Sequence, residues 1–463
     1  MTALDATVVN IALPTVQAEI GFGDDARAWV ITSYTLPFAS LLLLGGRMAD
    51  RVGGRRTLLV GMVGFATASA IAGVATNLAM LVTGRALQGG CAAMMAPAGL
   101  ALIATSFSDR RGRGKAFAVY GAVASSGAAV GLLAGGVLTE YAAWRWCLFL
   151  NVLVAVAATG AGRRYLPEQS PGTRSPLDVP SGLLATCGLA GVVLGCSRPA
   201  EAGWGSAQAL VPLLLGAGLL CAFVFRQATA RSPLLPLHVL AHRGRAAAYL
   251  STAAAVVGSF GLFLTLTYHF QTALDYGPLR AGLAFLPMTV AVLISAYGLA
   301  SRFLHRVEPG LLIVPGLLAA ATGVWLLTGL RPETDYLSEI LPGMVLVGAG
   351  MGCVFTPAFE LTTRAVEPRL AGVAAAVTNT STQLGATIGT AGLNTIAIGA
   401  TADATRSGSS PLDALVDGYA AANRWAALAL LLAATACAAL FATRWPTTDD
   451  PHHRTRHQEG STR

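Results

Sequence analysis

Charged side chains lie within two apolar stretches of the sequence. Asp5 belongs to MTALDATVVNIALP, and Arg85 belongs to LVTGRALQGGCAAMM. A charge at the centre of a bilayer costs at least about 2.5 kcal/mol, so such a residue faces a partner or a cavity and marks a functional site by default. Burial favours the uncharged form of a carboxylate, so an acid whose access to water changes can bind and release a proton. Asp5 is therefore a candidate proton carrier.

Glu360 is a second carboxylate within an apolar stretch. It lies four residues before Arg364, so an ion pair at the membrane edge is the alternative to a proton-carrying role. On a helix Gln88 shares the face of Arg85, whereas Asn10 points about 140° away from Asp5. The proton-carrying group and the Asn10 face need not contact the same partner.

The composition identifies the elements that must position these residues. Hydrophobic residues make up 54% of the 463 residues and charged residues only 12%, whereas soluble domains contain about 25% charged residues. Apolar runs near the roughly 18 residues that cross a bilayer recur along the chain. They predict fourteen helices, at 1–18, 28–45, 57–76, 79–104, 115–138, 144–162, 181–198, 209–226, 246–270, 279–300, 310–330, 338–359, 370–399 and 418–443.

The basic residues indicate the orientation of these helices. With fourteen spans, 23 of the 31 Lys and Arg residues fall on one side of the membrane, and the positive-inside rule makes that side cytoplasmic. Both termini are then cytoplasmic and 401–417 is an outer loop. The net charge of +8 is scattered over short loops, which gives no support to a nucleic-acid partner. The spacing of the cysteines indicates neither disulfides nor a metal site.

The turn between the second and third predicted helices carries a charged, glycine-rich motif, GGRMADRVGGRRTLLVG. Its glycines allow a tight reversal, and an aspartate at a helix end can pair with nearby arginines. We expect it to act as a latch on the cytoplasmic side, whereas the alternative is a basic loop that only sets orientation. The gate residues are Gly46, Asp50, Arg51, Gly53, Arg55 and Arg56.

Glycines also recur every four residues in the fifth predicted helix. Gly127, Gly131 and Gly135 form one stripe in GAAVGLLAGG, and Gly136 follows. A stripe without side chains lets another helix approach closely. The alternative to a specialised role is ordinary packing of small residues.

These motifs resemble those of the major facilitator superfamily, and together they resemble its fourteen-helix drug:proton antiporter branch. LDATVVNIALP is similar to the first-helix signature of that branch, RALQGGCAAMMAP to its fourth-helix signature, and GGRMADRVGGRR to the cytoplasmic signature of the superfamily. WRWCLFLN and NTSTQLGATIGTAGLN also resemble that branch. The antiporter motif of the fifth helix has Leu132 where relatives have proline.

The resemblance implies an all-α integral membrane protein with two six-helix bundles and two additional central transmembrane helices. The bundles are expected at 1–162 and 246–443, the linkers and inserted helices at 163–245, and a cytoplasmic tail at 444–463. In relatives the arginine that matches Arg85 is linked to proton transfer. The expected proton-coupling set is therefore Asp5, Arg85 and Glu360.

The implied function is proton-coupled efflux of hydrophobic or cationic drugs or antibiotics across the inner (plasma) membrane by alternating access. Drug sites combine aromatic walls with a few polar anchors. The expected binding residues are Asn10, Trp29, Tyr34, Phe38, Gln88, Phe263, Tyr268, Gln271, Asn379 and Gln383. The alternatives are a dedicated exporter of one metabolite, such as a self-made antibiotic or siderophore, and a non-transporting receptor or scaffold with the same fold.

The sequence has no nucleotide-binding loop of the G-x-x-x-x-G-K-[ST] type and no constellation typical of an enzyme. We expect no cofactor, with the proton gradient as the energy source. The expected partners are a drug-like molecule, protons and the lipid bilayer, and the protein is expected to be a monomer.

The first helix is short for a membrane span. Sixteen helical residues cover about 24 Å, less than the roughly 30 Å of the hydrocarbon core. Only four residues precede Asp5. We therefore expect the natural protein to start earlier, with roughly ten or more apolar residues and a short cytoplasmic tail before Met1.

Overall fold

The computed structural model describes residues 1–106, 123, 127, 129–166, 178–197, 205–230, 243–304, 306–364 and 371–442, and over these residues the chain is helical without strands. Long apolar runs become helices because in lipid each backbone polar group must bond within its own segment. The helices are α1 (Thr2–Ile20), α2 (Asp24–Val52), α3 (Gly54–Gly73), α4 (Leu78–Ser106), α5 (Ala129–Tyr141), α6 (Arg145–Tyr165), α7 (Val179–Ser197), α8 (Ala207–Thr229), α9 (Arg243–Tyr268), α10 (Pro278–Phe303), α11 (Gly310–Leu326), α12 (Leu341–Arg364), α13 (Ala371–Arg406) and α14 (Pro411–Ala442).

Within the described ranges, ten of these helices are long and apolar enough to cross a membrane. They are α3, α4, α6 to α12 and α14. The helices α1, α2, α5 and α13 occupy further positions at which the sequence predicts spans. The structure therefore shows an all-helical membrane protein.

Helices α1 to α6 pack into one bundle, and α9 to α14 pack into a second. Small residues allow close approach within each bundle. A β-carbon on Gly89 of α4 would lie 2.1 Å from the carbonyl oxygen of Tyr34 on α2, and one on Gly385 of α13 would lie 2.3 Å from that of Ala253 on α9. Such contacts bring helix axes together where bulkier side chains would separate them.

The two bundles meet at the end of the molecule where α1 terminates, which we call the Gly21 end. The hydroxyl of Tyr268 donates to Oε1 of Gln17 at 2.5 Å, and Gln271 Nε2 donates to the carbonyl oxygen of Ile11 at 2.9 Å. The guanidinium of Arg27 lies 4.0 Å from the centre of the Tyr268 ring. These contacts hold α1 and α2 against α9.

Helices α5 and α10 form a second contact between the bundles at the Gly21 end. Glu140 accepts a hydrogen bond from the backbone nitrogen of Leu279 at 2.8 Å, in the first turn of α10. The N-terminus of a helix attracts a carboxylate because its amides are unpaired. A β-carbon on Gly136 would lie 2.7 Å from Cα of Leu279, so the two backbones are in direct contact.

Helices α7 and α8 form a hairpin that contacts both bundles. Gly182 of α7 lies against Leu44 of α2, and Thr395 of α13 donates to the carbonyl oxygen of Cys196 at 3.0 Å. Arg226 of α8 donates to Asp178, the residue before α7, at 2.9 Å. The hairpin therefore lies beside α2 and α13, where the bundles also touch through Thr387 and Thr35 at 2.8 Å.

Two predicted loops are longer than the ones in the structure, because helices extend into them. Helix α2 continues to Val52 instead of ending at residue 45, so Gly46, Asp50 and Arg51 lie within a helix and not in a turn. The reversal is confined to Gly53, whose φ of 98° suits a residue without a β-carbon. The side chain of Asp50 lies outside the described part of the structure, as does the tail at 444–463.

The predicted outer loop at 401–417 is also shorter than expected. Helix α13 extends to Arg406 and α14 begins at Pro411. Proline suits a first helical turn, and the hydroxyl of Ser410 accepts from the backbone nitrogen of Asp413 at 3.2 Å, which caps the helix.

Candidate functional site

Asp5 is fully buried, and each of its carboxylate oxygens accepts a hydrogen bond. Arg85 Nη1 donates to Oδ2 at 2.5 Å, and Asn151 Nδ2 donates to Oδ1 at 2.6 Å. Gln88 Nε2 lies 3.4 Å from Oδ1. Arg85 is 1% exposed and both amides are fully buried. The result is an ion pair held away from water, in which Asp5 of α1 accepts from donors on α4 and α6.

Arg85 is fixed by further contacts around its guanidinium. Its Nη1 also donates to Oε1 of Gln88 at 3.0 Å, and its Nε donates to the carbonyl oxygen of Val30 at 3.3 Å. The guanidinium carbon lies 4.5 Å from the centre of the Tyr34 ring, a cation–π contact. Gln88 Nε2 donates to Ser69 Oγ at 2.7 Å. We call Asp5, Tyr34, Ser69, Arg85, Gln88 and Asn151 the Asp5 cluster.

Local packing brings these residues together. Gln88 follows Arg85 by three positions and shares its face, and Gly89 brings that face of α4 against the backbone of Tyr34. At the Gly21 end, Trp144 Nε1 donates to Glu19 at 2.6 Å and Arg145 forms an ion pair with the same carboxylate. The start of α6 is thereby attached to the end of α1.

A small cavity adjoins the Asp5 cluster. Its volume is about 10 Å3, and Arg85, Val9, Val30, Trp144 and Leu148 are among its lining residues. That is close to the space that one water molecule needs.

The predicted drug-binding residues are distributed over several places. Tyr34 and Gln88 belong to the Asp5 cluster, and Phe38 packs beside Tyr34 with ring centres 5.7 Å apart. Tyr34 is only 2% exposed, so its ring forms no open wall in this conformation. Trp29 is half-buried on α2.

A second group of predicted drug-binding residues lies where α1 meets α9. Asn10 Nδ2 donates to Thr267 Oγ1 at 3.1 Å and lies 3.4 Å from the carbonyl oxygen of Phe263. Tyr268 and Gln271 make the contacts to Gln17 and Ile11 given above. These side chains therefore join the bundles in this conformation.

The remaining predicted residues lie in the second bundle. Asn379 and Gln383 are half-buried on α13, and the carbonyl oxygen of Gln383 accepts from Thr387, which also contacts α2. Glu360 is half-buried near the end of α12. The structure brings Asp5 and Arg85 together in the first bundle, and Glu360 belongs to the other.

The two glycine motifs lie at helix contacts. A β-carbon on Gly131 would lie 2.7 Å from the carbonyl oxygen of Leu4, and one on Gly135 would lie 3.0 Å from Cα of Val8, whereas Gly127 is less crowded, at 3.9 Å. The α5 stripe therefore packs on α1, directly beside Asp5.

The gate residues extend from α2 into α3. Arg55 Nη2 donates to the carbonyl oxygen of Arg163 at 2.6 Å, which places a cation at the C-terminal end of α6. Arg51 and Arg56 are exposed, and Gly46 lies near Pro97.

Asn151 and Ser69 were not among the predicted site residues. Asn151 stands in the apolar run CLFLNVLVAV, and an amide within such a run is a signal that could have identified it, because polar residues in membrane helices seek buried partners. Ser69 carries no comparable signal in ATASAIAG, since small residues are common in helix contacts.

Known proteins are similar to this chain in sequence and in fold. A sequence profile described as Major Facilitator Superfamily matches residues 1–390. The puromycin resistance protein pur8 of Streptomyces alboniger is 47% identical over 457 residues, which cover 97% of this chain and 90% of that protein. The cephamycin export protein CmcT of Amycolatopsis lactamdurans is 38% identical over 399 residues, covering 86% of this chain and 82% of that protein.

The fold is also found among solved structures. An auto-inhibited peptide transporter of the POT family matches with a TM-score of 0.64 at 17% identity, over 97% of this chain and 96% of that one. At that identity the likeness concerns the fold alone. The sequence matches decide the relationship: this chain belongs to the major facilitator superfamily.

Proposed function

We propose that this protein is a proton-coupled exporter of antibiotics or other drug-like molecules, and that it spans the cytoplasmic membrane fourteen times. The observation that carries the proposal is the buried ion pair of Asp5 and Arg85. The charge of an acid in this position can be compensated either by the arginine or by a bound proton. The names of the similar resistance and export proteins support the class of cargo.

The orientation follows from the basic loops. With both termini cytoplasmic, the Gly21 end faces outward, and the contacts of Tyr268 with Gln17 and of Glu140 with Leu279 close the protein to the outside. In this state Asp5 is paired with Arg85, as expected for a carboxylate that has released its proton. In the proposed cycle this state precedes the binding of cargo from the cytoplasmic side.

The transport cycle alternates two charge states of Asp5. When the protein opens outward, Asp5 takes a proton from external water, its O–H bond forms, and the ion pair with Arg85 is lost. When the protein opens inward, Asp5 returns the proton to the cytoplasm and the ion pair re-forms. Cargo moves outward between these steps, so the proton gradient drives the export of cargo.

A dedicated exporter of a single compound is the second candidate. The two similar proteins named above carry the name of one antibiotic each, puromycin and cephamycin. A panel of puromycin, a cephamycin and cationic dyes distinguishes the two, because a dedicated exporter transports one member and a multidrug exporter transports several.

Asp5→Asn tests the proton-carrying role. Asparagine resembles the protonated acid, so we expect proteoliposomes with this variant to lose accumulation driven by a pH gradient but to retain downhill exchange of cargo. Asp403→Asn is the matched control, because Asp403 is exposed and its ion pair within the described residues is with the exposed Arg406. Glu360→Gln is assayed in parallel.

Two outcomes would contradict the proposal. Full gradient-driven accumulation by Asp5→Asn would exclude Asp5 as the carrier. Absence of any transport by the wild-type protein across the panel would favour the receptor or scaffold alternative.

A further inference from the structure

Asn151 contacts Asp5 through the nitrogen of its side-chain amide, and the oxygen of that amide has no partner in the described part of the structure. Asn151 is fully buried in α6, and its Nδ2 donates to Asp5 Oδ1 at 2.6 Å. Its Oδ1 is buried and accepts no hydrogen bond in the described part of the structure. A buried amide oxygen without a donor is costly, so this geometry calls for a reason beyond the single contact.

The surroundings of Asp5 are suited to a carboxylate and not to a carboxylic acid. The atoms that point at its oxygens belong to Arg85, Gln88 and Asn151, and all of them are donors. A protonated Asp5 carries an O–H group that needs an acceptor. The Oε1 of Gln88 already accepts from Arg85 at 3.0 Å, whereas Oδ1 of Asn151 is unoccupied.

The other titratable groups around Asp5 are the Met1 amino group before α1, the Tyr34 hydroxyl on α2, the Arg85 guanidinium on α4 and the Cys147 thiol on α6. The Tyr34 hydroxyl is buried and, in the described part of the structure, makes no hydrogen bond to Asp5 or to another group. The thiol contacts Thr139 and the carbonyl oxygen of Gly135. An ammonium and a guanidinium have donors only.

We propose that Asn151 is a positioning residue that binds Asp5 in both protonation states. Its Nδ2 donates to the carboxylate, and after a half-turn of the amide its Oδ1 accepts from the carboxylic acid. The proton comes from water and returns to water through Asp5, and Asn151 gains or loses none. This inference rests on the proposed proton coupling, because it concerns the acid that carries the proton.

Asn151→Leu removes both hydrogen-bonding groups and keeps the branched shape and the number of heavy atoms of the side chain. A hydrogen bond to a carboxylate is about twice as strong as one between neutral groups, so the carboxylate loses more than the acid. We expect the pH dependence of gradient-driven transport to move upward by about one pH unit. Asn151→Thr restores part of the wild-type profile, because one hydroxyl both donates and accepts.

Asn423→Leu is the matched control. Asn423 is a buried amide on α14 whose Nδ2 donates to the carbonyl oxygen of Leu327 at 3.0 Å and whose Oδ1 lies 3.5 Å from Thr265 Oγ1. Its loss is expected to lower the yield of folded protein and to leave the pH profile unchanged. An unchanged profile in Asn151→Leu would overturn the proposal.

Infrared difference spectra of the purified protein separate this inference from the proposed function. Protonation produces a carboxylic-acid carbonyl band, which we expect to vanish in Asp5→Asn and to shift in Asn151→Leu but not in Asn423→Leu. This measurement requires no transport, so it can be made even if the wild-type protein transports no compound of the panel. An Asp5 band that is identical in wild type and Asn151→Leu would overturn the proposal while leaving proton coupling by Asp5 intact.

Discussion

Arg85 and Asp5 balance each other's charge inside the first bundle. Both side chains are at most 2% exposed, and their closest atoms are 2.5 Å apart. Removing one partner of a buried ion pair leaves a charge without compensation, which costs roughly 3–5 kcal/mol, whereas replacing both with apolar residues is often close to neutral. The pair is therefore a poor source of stability, and its burial fits the proton exchange that we propose for Asp5.

Arg85→Leu is expected to lower the free energy of unfolding by roughly 3–5 kcal/mol. The double variant Arg85→Leu with Asp5→Leu is expected to recover most of that loss, while both variants lack gradient-driven transport. Thermal unfolding in detergent and transport in proteoliposomes measure the two effects. A double variant as unstable as the single one would show that the loss comes from packing and not from the uncompensated charge.

At this scale the sequence identifies the charged members of the Asp5 cluster but not Asn151, one of their two amide partners. Asp5 and Arg85 stand out because a charge is rare in an apolar run. The contact of Asn151 with Asp5 joins residues 146 positions apart. It depends on how α6 is rotated against α1, and the periodicity of α6 alone does not specify that rotation.

The contact of α2 with α4 sets the position of Arg85 over Tyr34. Gly89 makes this contact through its bare backbone, since a β-carbon there would lie 2.1 Å from the carbonyl oxygen of Tyr34. Gly90, the next residue, has more room, with Leu41 at 3.7 Å as its nearest neighbour. Substitutions of these adjacent glycines therefore distinguish the effect of close helix approach from the effect of helix propensity.

Gly89→Ala is therefore expected to push α4 away from α2 and to destabilise the protein by about 1–3 kcal/mol, with reduced transport. Gly90→Ala is expected to be neutral or to stabilise by up to about 1 kcal/mol, because alanine favours helix. Unfolding midpoints of the two variants provide the comparison. Equal midpoints would mean that the two helices can separate at little cost.

The lengths of the apolar runs predict the helices, but they do not predict the residues at which the helices begin and end. Charged residues at 47–51 suggest a loop, yet they are compatible with a helix that ends at the glycine with φ of 98°. Likewise, Ser410 and Pro411 start α14 before its apolar part begins. In both cases local capping extends a helix beyond the membrane-crossing segment.

The two bundles are joined at the Gly21 end by contacts from three pairs of helices. Polar contacts link α1 to α9, the Arg27 guanidinium covers Tyr268, and α5 meets α10 through Gly136 and Glu140. A transporter that works by alternating access must break these contacts once in each cycle. In the proposed cycle we expect the strength of these contacts to set how often this end opens.

Gly136→Ala tests that relation, because the new β-carbon would lie 2.7 Å from Cα of Leu279. We expect it to favour opening of the Gly21 end, detected as faster reaction of Gln271→Cys with an impermeant maleimide after the native cysteines are replaced. Gly127→Ala is the control, since its nearest neighbour is 3.9 Å away. Equal labelling rates would show that the α5–α10 contact does not limit opening.

The conformational state could not be predicted from the sequence. Tyr268 and Gln271 were expected to bind cargo, and in this state they bind α1 instead. In the proposed cycle these side chains become available to another partner when the bundles separate. Motifs therefore identify which residues take part in the cycle without indicating when each one does so.

The placement of α7 makes the lipid-facing perimeter of the molecule unequal. This helix covers the seam between α2 and α13, through Gly182 on one side and Cys196 on the other. Beside the opposite seam, Val130 and Val137 of α5 and Leu283 and Val290 of α10 remain exposed. A hydrophobic compound dissolved in the bilayer therefore meets α7 on one flank and, among the described residues, exposed side chains of α5 and α10 on the other, so we expect it to enter sideways from the α5–α10 flank.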